Sequence, residues 1–210
     1  MTQNIQIHNQ SFVLHPSGSL YWEEKSVLLI SDVHLGKISH FRKYGAAVPQ
    51  KAIQANFELM DEVVDFFNPI TVYFLGDLFH SHINSEWNLF VEWVSKAKTE
   101  IILIYGNHDI ISPIKYEELG IQLLDELILE NMLLTHHPEE RKGFYNFCGH
   151  IHPAVKIRGG GKQSLRLPCF FKSPNQLILP AFGEFTGSFT LKPTKKDQVF
   201  AIAEGMIIKI

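Results

Sequence analysis

Five short segments of this 210-residue chain end in residues that bind metal ions: Asp32-Val33-His34, Gly76-Asp77, Gly106-Asn107-His108-Asp109, His136-His137 and Gly149-His150-Ile151-His152. Four of them follow hydrophobic runs that read as buried strands, VLLIS, TVYFL, EIILIY and NMLLT. Carboxylate, amide and imidazole groups gathered at strand ends are what a pair of divalent cations needs if it is to activate water against a phosphate ester. One such segment carries little weight. Five in order, separated by alternating helical and strand patterns, are hard to assemble by chance.

Asp32 and His34 stand two apart just beyond a strand, so both can face one side and hold one cation. The plain alternative is a polar strand end with a capping Asp. Asp77 closes the next strand, with two oxygens that can bridge two cations, behind a glycine that permits a tight backbone path. Gly106-Asn107-His108-Asp109 is more specific. Asn107 offers a neutral carbonyl oxygen, His108 falls one residue from the metal as a general acid, and Asp109 can orient its ring. A simple Gly-Asn turn would not account for the His-Asp that follows. His136, first after its apolar run, is the preferred ligand of its pair, and His137 should face the other way. His150 and His152, two apart, face one side of an extended segment.

These residues divide into two incomplete coordination spheres, Asp32, His34, Asp77 and His152 in one, and Asp77, Asn107, His136 and His150 in the other. Each leaves room for a bridging hydroxide and a substrate oxygen. A nitrogen and oxygen donor set without thiolate suits Mn²⁺ or Fe²⁺ as well as Zn²⁺ and so does not fix the metal, with Mn²⁺ the first expectation.

The elements that must position these groups are legible in outline. Extended pieces at residues 5–7, 12–14 and 20–22 read as a hairpin around Pro16-Ser17-Gly18, leading into a strand at 27–30 and then a loop. Pro49 opens a helical stretch to about Phe67, with Ala52, Ala55, Leu59, Val63 and Phe66 at helical spacing, and Asn68-Pro69 stops it. A strand at 70–75, a helix at 84–98 and a strand at 101–105 follow, with a short helical piece at 114–119. Beyond Gln122 the pattern changes to short strands and turns. The front half therefore reads as βαβαβ and the back as a mostly antiparallel sheet, which predicts two facing sheets with helices outside, in one α/β domain spanning residues 1–210.

Bulk composition narrows the function classes. A formal charge of −3 and 45% hydrophobic residues fit a globular enzyme rather than a broadly basic nucleic-acid binder. The expectation is a cytoplasmic protein: no signal-peptide pattern opens the chain, no apolar run is long enough to span a bilayer, and Cys148 and Cys169 read as buried thiols. Oligomeric state is left open.

The order Asp-x-His, Gly-Asp, Gly-Asn-His-Asp, His, Gly-His-x-His over residues 27–155 resembles the calcineurin-like metallophosphoesterases. The resemblance implies a four-layer α/β/β/α sandwich of two mixed sheets and the metal assignments just given. A narrower likeness, through Ser31-Asp32-Val33-His34-Leu35-Gly36-Lys37, Phe41-Arg42, Val48-Pro49, the 76–81 segment, Leu165-Arg166-Leu167-Pro168-Cys169-Phe170 and the 179–187 segment, is to the bacterial ligase-associated DNA-damage-response metallophosphoesterases. That subfamily implies a metal-dependent phosphodiesterase and DNA endonuclease, linked to DNA ligase and a DEXH-type helicase, with DNA as substrate.

Resembling protein phosphatases carry an arginine a few residues after Gly-Asp, suited to clamping a monoester dianion. Here that stretch is Leu78-Phe79-His80-Ser81, which favours a diester. Lys37 and Arg42 are candidates for neighbouring substrate phosphates, with solvated loop charges as the alternative. His80 either orients Asp77 from behind or caps the following loop. The stretch from Arg158 through three glycines to Lys162 is more simply a hairpin turn than a phosphate-gripping loop, and residues 139–142 are a solvated mixed-charge turn. Two other readings stand beside the nuclease: a small-molecule phosphoesterase acting on cyclic nucleotides or nucleotides, and a non-catalytic scaffold. The scaffold has no need of His108 and a full set of ligand positions.

Overall fold

The computed structural model describes residues 1–43, 45, 51–159, 163–183 and 186–210. The Val48-Pro49 motif, the helix start expected at Pro49 and the centre of the glycine run lie outside the described residues. In chain order the first half carries β1 (Gln3–Ile7), β2 (Gln10–Leu14), β3 (Leu20–Trp22), β4 (Val27–Ile30), α1 (Lys37–Lys43), α2 (Lys51–Phe67), β5 (Thr71–Leu75), α3 (Ser85–Lys96), β6 (Glu100–Ile104), α4 (Pro113–Glu117) and β7 (Gln122–Leu124). Among the described residues only strands follow: β8 (Leu127–Leu129), β9 (Met132–Leu134), β10 (Tyr145–Cys148), β11 (Pro153–Arg158), β12 (Ser164–Lys172), β13 (Gln176–Ile178), β14 (Phe189–Thr190), β15 (Gln198–Ala203) and β16 (Met206–Lys209).

The first sheet is ordered β1 to β7 in sequence, antiparallel up to β4 and parallel from β4 to β7. In the second, β8-β9 and the hairpins of β11, β12, β15 and β16 are antiparallel, whereas β10 lies parallel to both β9 and β13. Both sheets are therefore mixed, with helices flanking the first. The short helix α1 occupies a segment expected to be loop. Its sequence shows little helical period, and its start is held from outside: the buried Glu86 carboxylate of α3 accepts from the backbone of Gly36 at 2.7 Å and Ser39 at 3.0 Å. Glu86 is itself placed by the Asn84 cap, whose side chain accepts from the Glu86 N–H at 2.9 Å.

Period-two alternation along β4, β5 and β6 splits the core in two. Val27, Leu29, Tyr73, Leu75, Ile102 and Ile104 face the second sheet and meet Leu134, Phe147, Phe170, Leu177 and Phe200. Leu28, Ile30, Val72, Phe74, Ile101 and Leu103 face outward onto Met60, Val63, Trp87, Phe90 and Trp93 of α2 and α3. Each such side chain contributes about 1.5–3 kcal/mol on burial, so the strands are anchored on both faces and their ends are rigid platforms. A third apolar group, including Cys148, Cys169 and Phe171, lies within the second sheet, and both cysteines are buried free thiols as expected.

Candidate metal centre

Parallel strands end at one edge. The carboxyl ends of β4, β5 and β6 deliver Asp32 and His34, Asp77, and Asn107 and His108, while the ends of β9 and β10 deliver His136, and His150 with His152. Open α/β sheets place ligand sites at that edge for the same reason. The turns are sewn together by backbone bonds: Asp32 N–H to Gly76 O at 3.2 Å, His34 N–H to Asp77 O at 2.9 Å, and Gly149 N–H to His136 O at 3.1 Å. A Cβ on Gly149 would stand 2.3 Å from Asp32 Oδ2, and one on Gly106 2.2 Å from Asp77 Oδ1, so only glycine lets these turns approach.

Five of the candidate ligands, Asp32, His34, Asp77, His150 and His152, have φ between 50° and 66°. Left-handed backbone costs a non-glycine residue about 1–2 kcal/mol. Strain concentrated on the side chains that converge is a mark of a functional site.

The lone pairs make the argument for a cation. His136 Nδ1 lies 2.9 Å from Leu75 O, and a carbonyl only accepts, so Nδ1 carries the ring proton. Its Nε2 then points a lone pair at Asn107 Oδ1 (3.0 Å), Asp77 Oδ1 (3.4 Å) and His150 Nδ1 (3.2 Å). Likewise His152 Nδ1 donates to Gly187 O at 2.9 Å, which leaves its Nε2 lone pair 3.2 Å from both Asp32 Oδ1 and His34 Nε2. His34 Nε2 is also 3.7 Å from Asp77 Oδ2. Where these nitrogens are unprotonated, acceptor faces acceptor, a crowding that a cation among them relieves, and hard oxygens with imidazoles suit a divalent one. The residues present therefore fit two metal ions, with Asp77 facing both clusters.

Protons take up some of this strain. Burial opposes ionisation of Asp32, but the hydrogen bond and charge of His152, with His136 beyond, hold its carboxyl below the usual range. Burial lowers His152 as well, yet Asp32 outweighs it and the imidazole sits above its ordinary value. Burial carries His34 the other way, down to about 3.

Three expected roles change. Asp109 does not orient the His108 ring: its buried carboxylate accepts from the backbone of Asp77 (2.8 Å), Gly106 (2.9 Å) and Phe79 (3.1 Å), clamping the β5 and β6 turns together. The His108 ring instead stacks on His80, with centroids 4.7 Å apart, and lies 5.4 Å from the ring of His34. His80 backs His34, not Asp77, with the two Nδ1 atoms 3.3 Å apart. His137 is exposed but does not turn away. Its ring centroid is 4.0 Å from that of His150, because Thr135 Oγ1 bonds to His137 O at 2.7 Å and ends the alternation of β9.

Lys37 reaches the centre; burial lowers its pKa while Asp77 pulls it up, and its charge is felt at His34, His80 and His152. Arg42, near the far end of α1, is exposed. Sequence reasoning missed Glu86, which sets the position of Lys37 through α1. Its one signal is the Asn84-Ser85-Glu86 cap. The carbonyls of Leu75 and Gly187, which fix the tautomers, have no side-chain signature at all.

The sequence profile of the calcineurin-like phosphoesterases matches residues 25–190. Among solved structures, the Pseudomonas putida nuclease MPE is 27% identical, with a TM-score of 0.83 and 100% of both chains covered. Yfce, a phosphoesterase from E. coli, is 16% identical with a TM-score of 0.46, covering 88% of this chain and 97% of that one. No curated protein sequence matches.

Two measurements test the centre. With His152 raised above its ordinary 6.5, a cation binding at pH 6.5 must displace its proton, whereas His34 has none to give. Calorimetry of Mn²⁺ binding in buffers of differing ionisation enthalpy should show proton release at pH 6.5 that fades as pH rises past the His152 pKa. Buffer-independent heat at pH 6.5 would count against the arrangement. Asp109→Asn turns an amide NH₂ toward backbone donors and should cost about 1–3 kcal/mol in urea unfolding while lowering retained Mn²⁺. Unchanged stability would return Asp109 to an orienting role.

Proposed function

The chain belongs to the calcineurin-like phosphoesterase family and is a metal-dependent phosphoesterase, and we propose that it is a DNA endonuclease hydrolysing phosphodiester bonds with two Mn²⁺ ions. The observation that carries this reading is the double convergence of imidazole nitrogens and carboxylate oxygens around Asp77. Similarity along the full length to a bacterial nuclease supports the substrate class. So do the positions after Asp77, where Leu78 and Phe79 fill the core and His80 follows, with no arginine to clamp a monoester. The motif resemblance supports a place in DNA repair beside a ligase and a helicase.

Asp32, His34, Asp77 and His152 would hold one ion, and Asp77, Asn107, His136 and His150 the other. Bound there, such a pair supplies a hydroxide nucleophile and neutralises charge on the non-bridging phosphate oxygens. The protein's own groups do the rest. Asp77 is held by the His108 N–H at 2.8 Å on Oδ1, so its carboxylate cannot swing away as charge develops. His108, partly exposed at the mouth and stacked on His80, is the group proposed to protonate the departing alkoxide. General-acid catalysis of this kind is worth roughly 10²–10⁴-fold. Lys37 places a positive charge beside the same mouth.

The test uses an aryl phosphodiester and the matching monoester, with Mn²⁺ and with EDTA, on wild type and His108→Ala. Diester turnover that needs Mn²⁺, with the monoester nearly inert, is expected. His108→Ala should spare the aryl ester, whose phenolate leaves unaided, and slow DNA cleavage by about 10²-fold or more. Equal loss on both substrates would remove His108 from that role, and a monoester preference would favour a phosphatase.

A further inference from the structure

The net charge of −3 conceals a strong segregation. Residues 141–196 carry ten Lys and Arg against a single acidic residue, Glu184, a local charge of +9. Arg141 is paired with Glu126 and Glu139. Other cations of this stretch stand on the outer half of the hairpin formed by β11 and β12. Its first rung, Ala154 opposite Pro168, sits just past His152; the next rungs on that face are Lys156 opposite Arg166 and Arg158 opposite Ser164. Gly159 N–H bonds to Gln163 O at 3.0 Å at the outer end of the described ladder.

This arm is costly to keep unless it does something. Lys156, Ile157, Arg158, Ser164, Leu165 and Arg166 are all exposed, so neither face of its outer half is packed. Like charges directly opposite across a ladder are destabilising, and no carboxylate pairs with Lys156, Arg158 or Arg166 among the described residues. The inner end of the same ladder is continuous with the metal centre. A cavity of about 250 Å³ there is lined by His152, Pro153, Pro168, Gly183 and Gly187 among others.

We infer that the β11–β12 arm is a polynucleotide-binding surface, on which Lys156, Arg158 and Arg166 hold backbone phosphates flanking the bond cut at the metal centre. This rests on the phosphodiesterase reading above. Lys156 and Arg158, two residues apart on one strand, are separated by about 6.6 Å, close to the rise of two nucleotides at about 3.4 Å each. A polyanion relieves the repulsion between facing cations that no carboxylate among the described residues relieves, and an antiparallel ribbon is an established way to follow a duplex.

The experiment compares wild type with Lys156→Ala/Arg158→Ala/Arg166→Ala, all three side chains being exposed. Binding of a fluorescent DNA duplex is measured by anisotropy across a salt series, beside turnover of the aryl diester with Mn²⁺. The triple variant should keep its diester turnover, bind DNA at least about 10-fold more weakly, and lose roughly 0.9 of salt slope per phosphate contact. DNA affinity and slope equal to wild type would overturn the inference. Wild type that does not bind DNA would overturn it too, while diester turnover left the phosphodiesterase reading standing. Wild type that binds DNA through the arm but hydrolyses no diester would uphold the arm and defeat the catalytic reading.

Discussion

Two clusters of acceptor atoms face a single carboxylate, that of Asp77, and much of the surrounding structure serves to keep them together. Asp77 is buried, and its oxygens lie within 3.4 Å of His136 Nε2 and 3.7 Å of His34 Nε2. Left to themselves, these lone pairs would push apart. They are held by a frame that does not yield: a two-sided core behind the strands, and backbone bonds that tie each turn to the next.

The frame has its own hierarchy. Asp109 clamps the β5 and β6 turns from below by accepting three N–H groups, a bond set that the two oxygens of a carboxyl group satisfy and few other side chains could. Leu75 O and Gly187 O then decide which imidazole nitrogen is free, and so which way each lone pair points. Left-handed backbone at five of the converging residues is the conformational cost, offset by the packing beneath them. Against the pull of burial, the same crowding lifts His152 above its ordinary value, through its hydrogen bond to Asp32.

Charge follows the same division of labour. The stretch up to the end of β7, with the described helices, carries 14 of the 22 Asp and Glu, and the strands beyond it carry a run of cations that includes the β11–β12 arm. An overall acidic protein can therefore present a basic path to a polyanion beginning beside its metal centre. Net charge averages this away, which is why it is a poor guide to what such a fold can bind.

The sequence alone determined a good deal. Alternating apolar runs placed β4, β5, β6 and β9 and therefore the strand ends. Residue chemistry at those ends picked out the groups that converge, because imidazole and carboxylate just past a buried strand have few other uses. Glycines at 106 and 149 were visible, though the close approach each permits was not. What tertiary structure decided was everything relational. Asp109 follows His108 in the chain but faces three backbone donors contributed by two turns. His80 backs His34 rather than Asp77, and His137 joins His150 because a Thr135 hydrogen bond breaks strand alternation. Helix α1 exists because Glu86, nearly fifty residues away in the chain, accepts its first N–H groups. Local periodicity records which way a side chain leaves its own strand. It carries no record of which distant donor will be waiting there, since that is set only when the sheets close on one another.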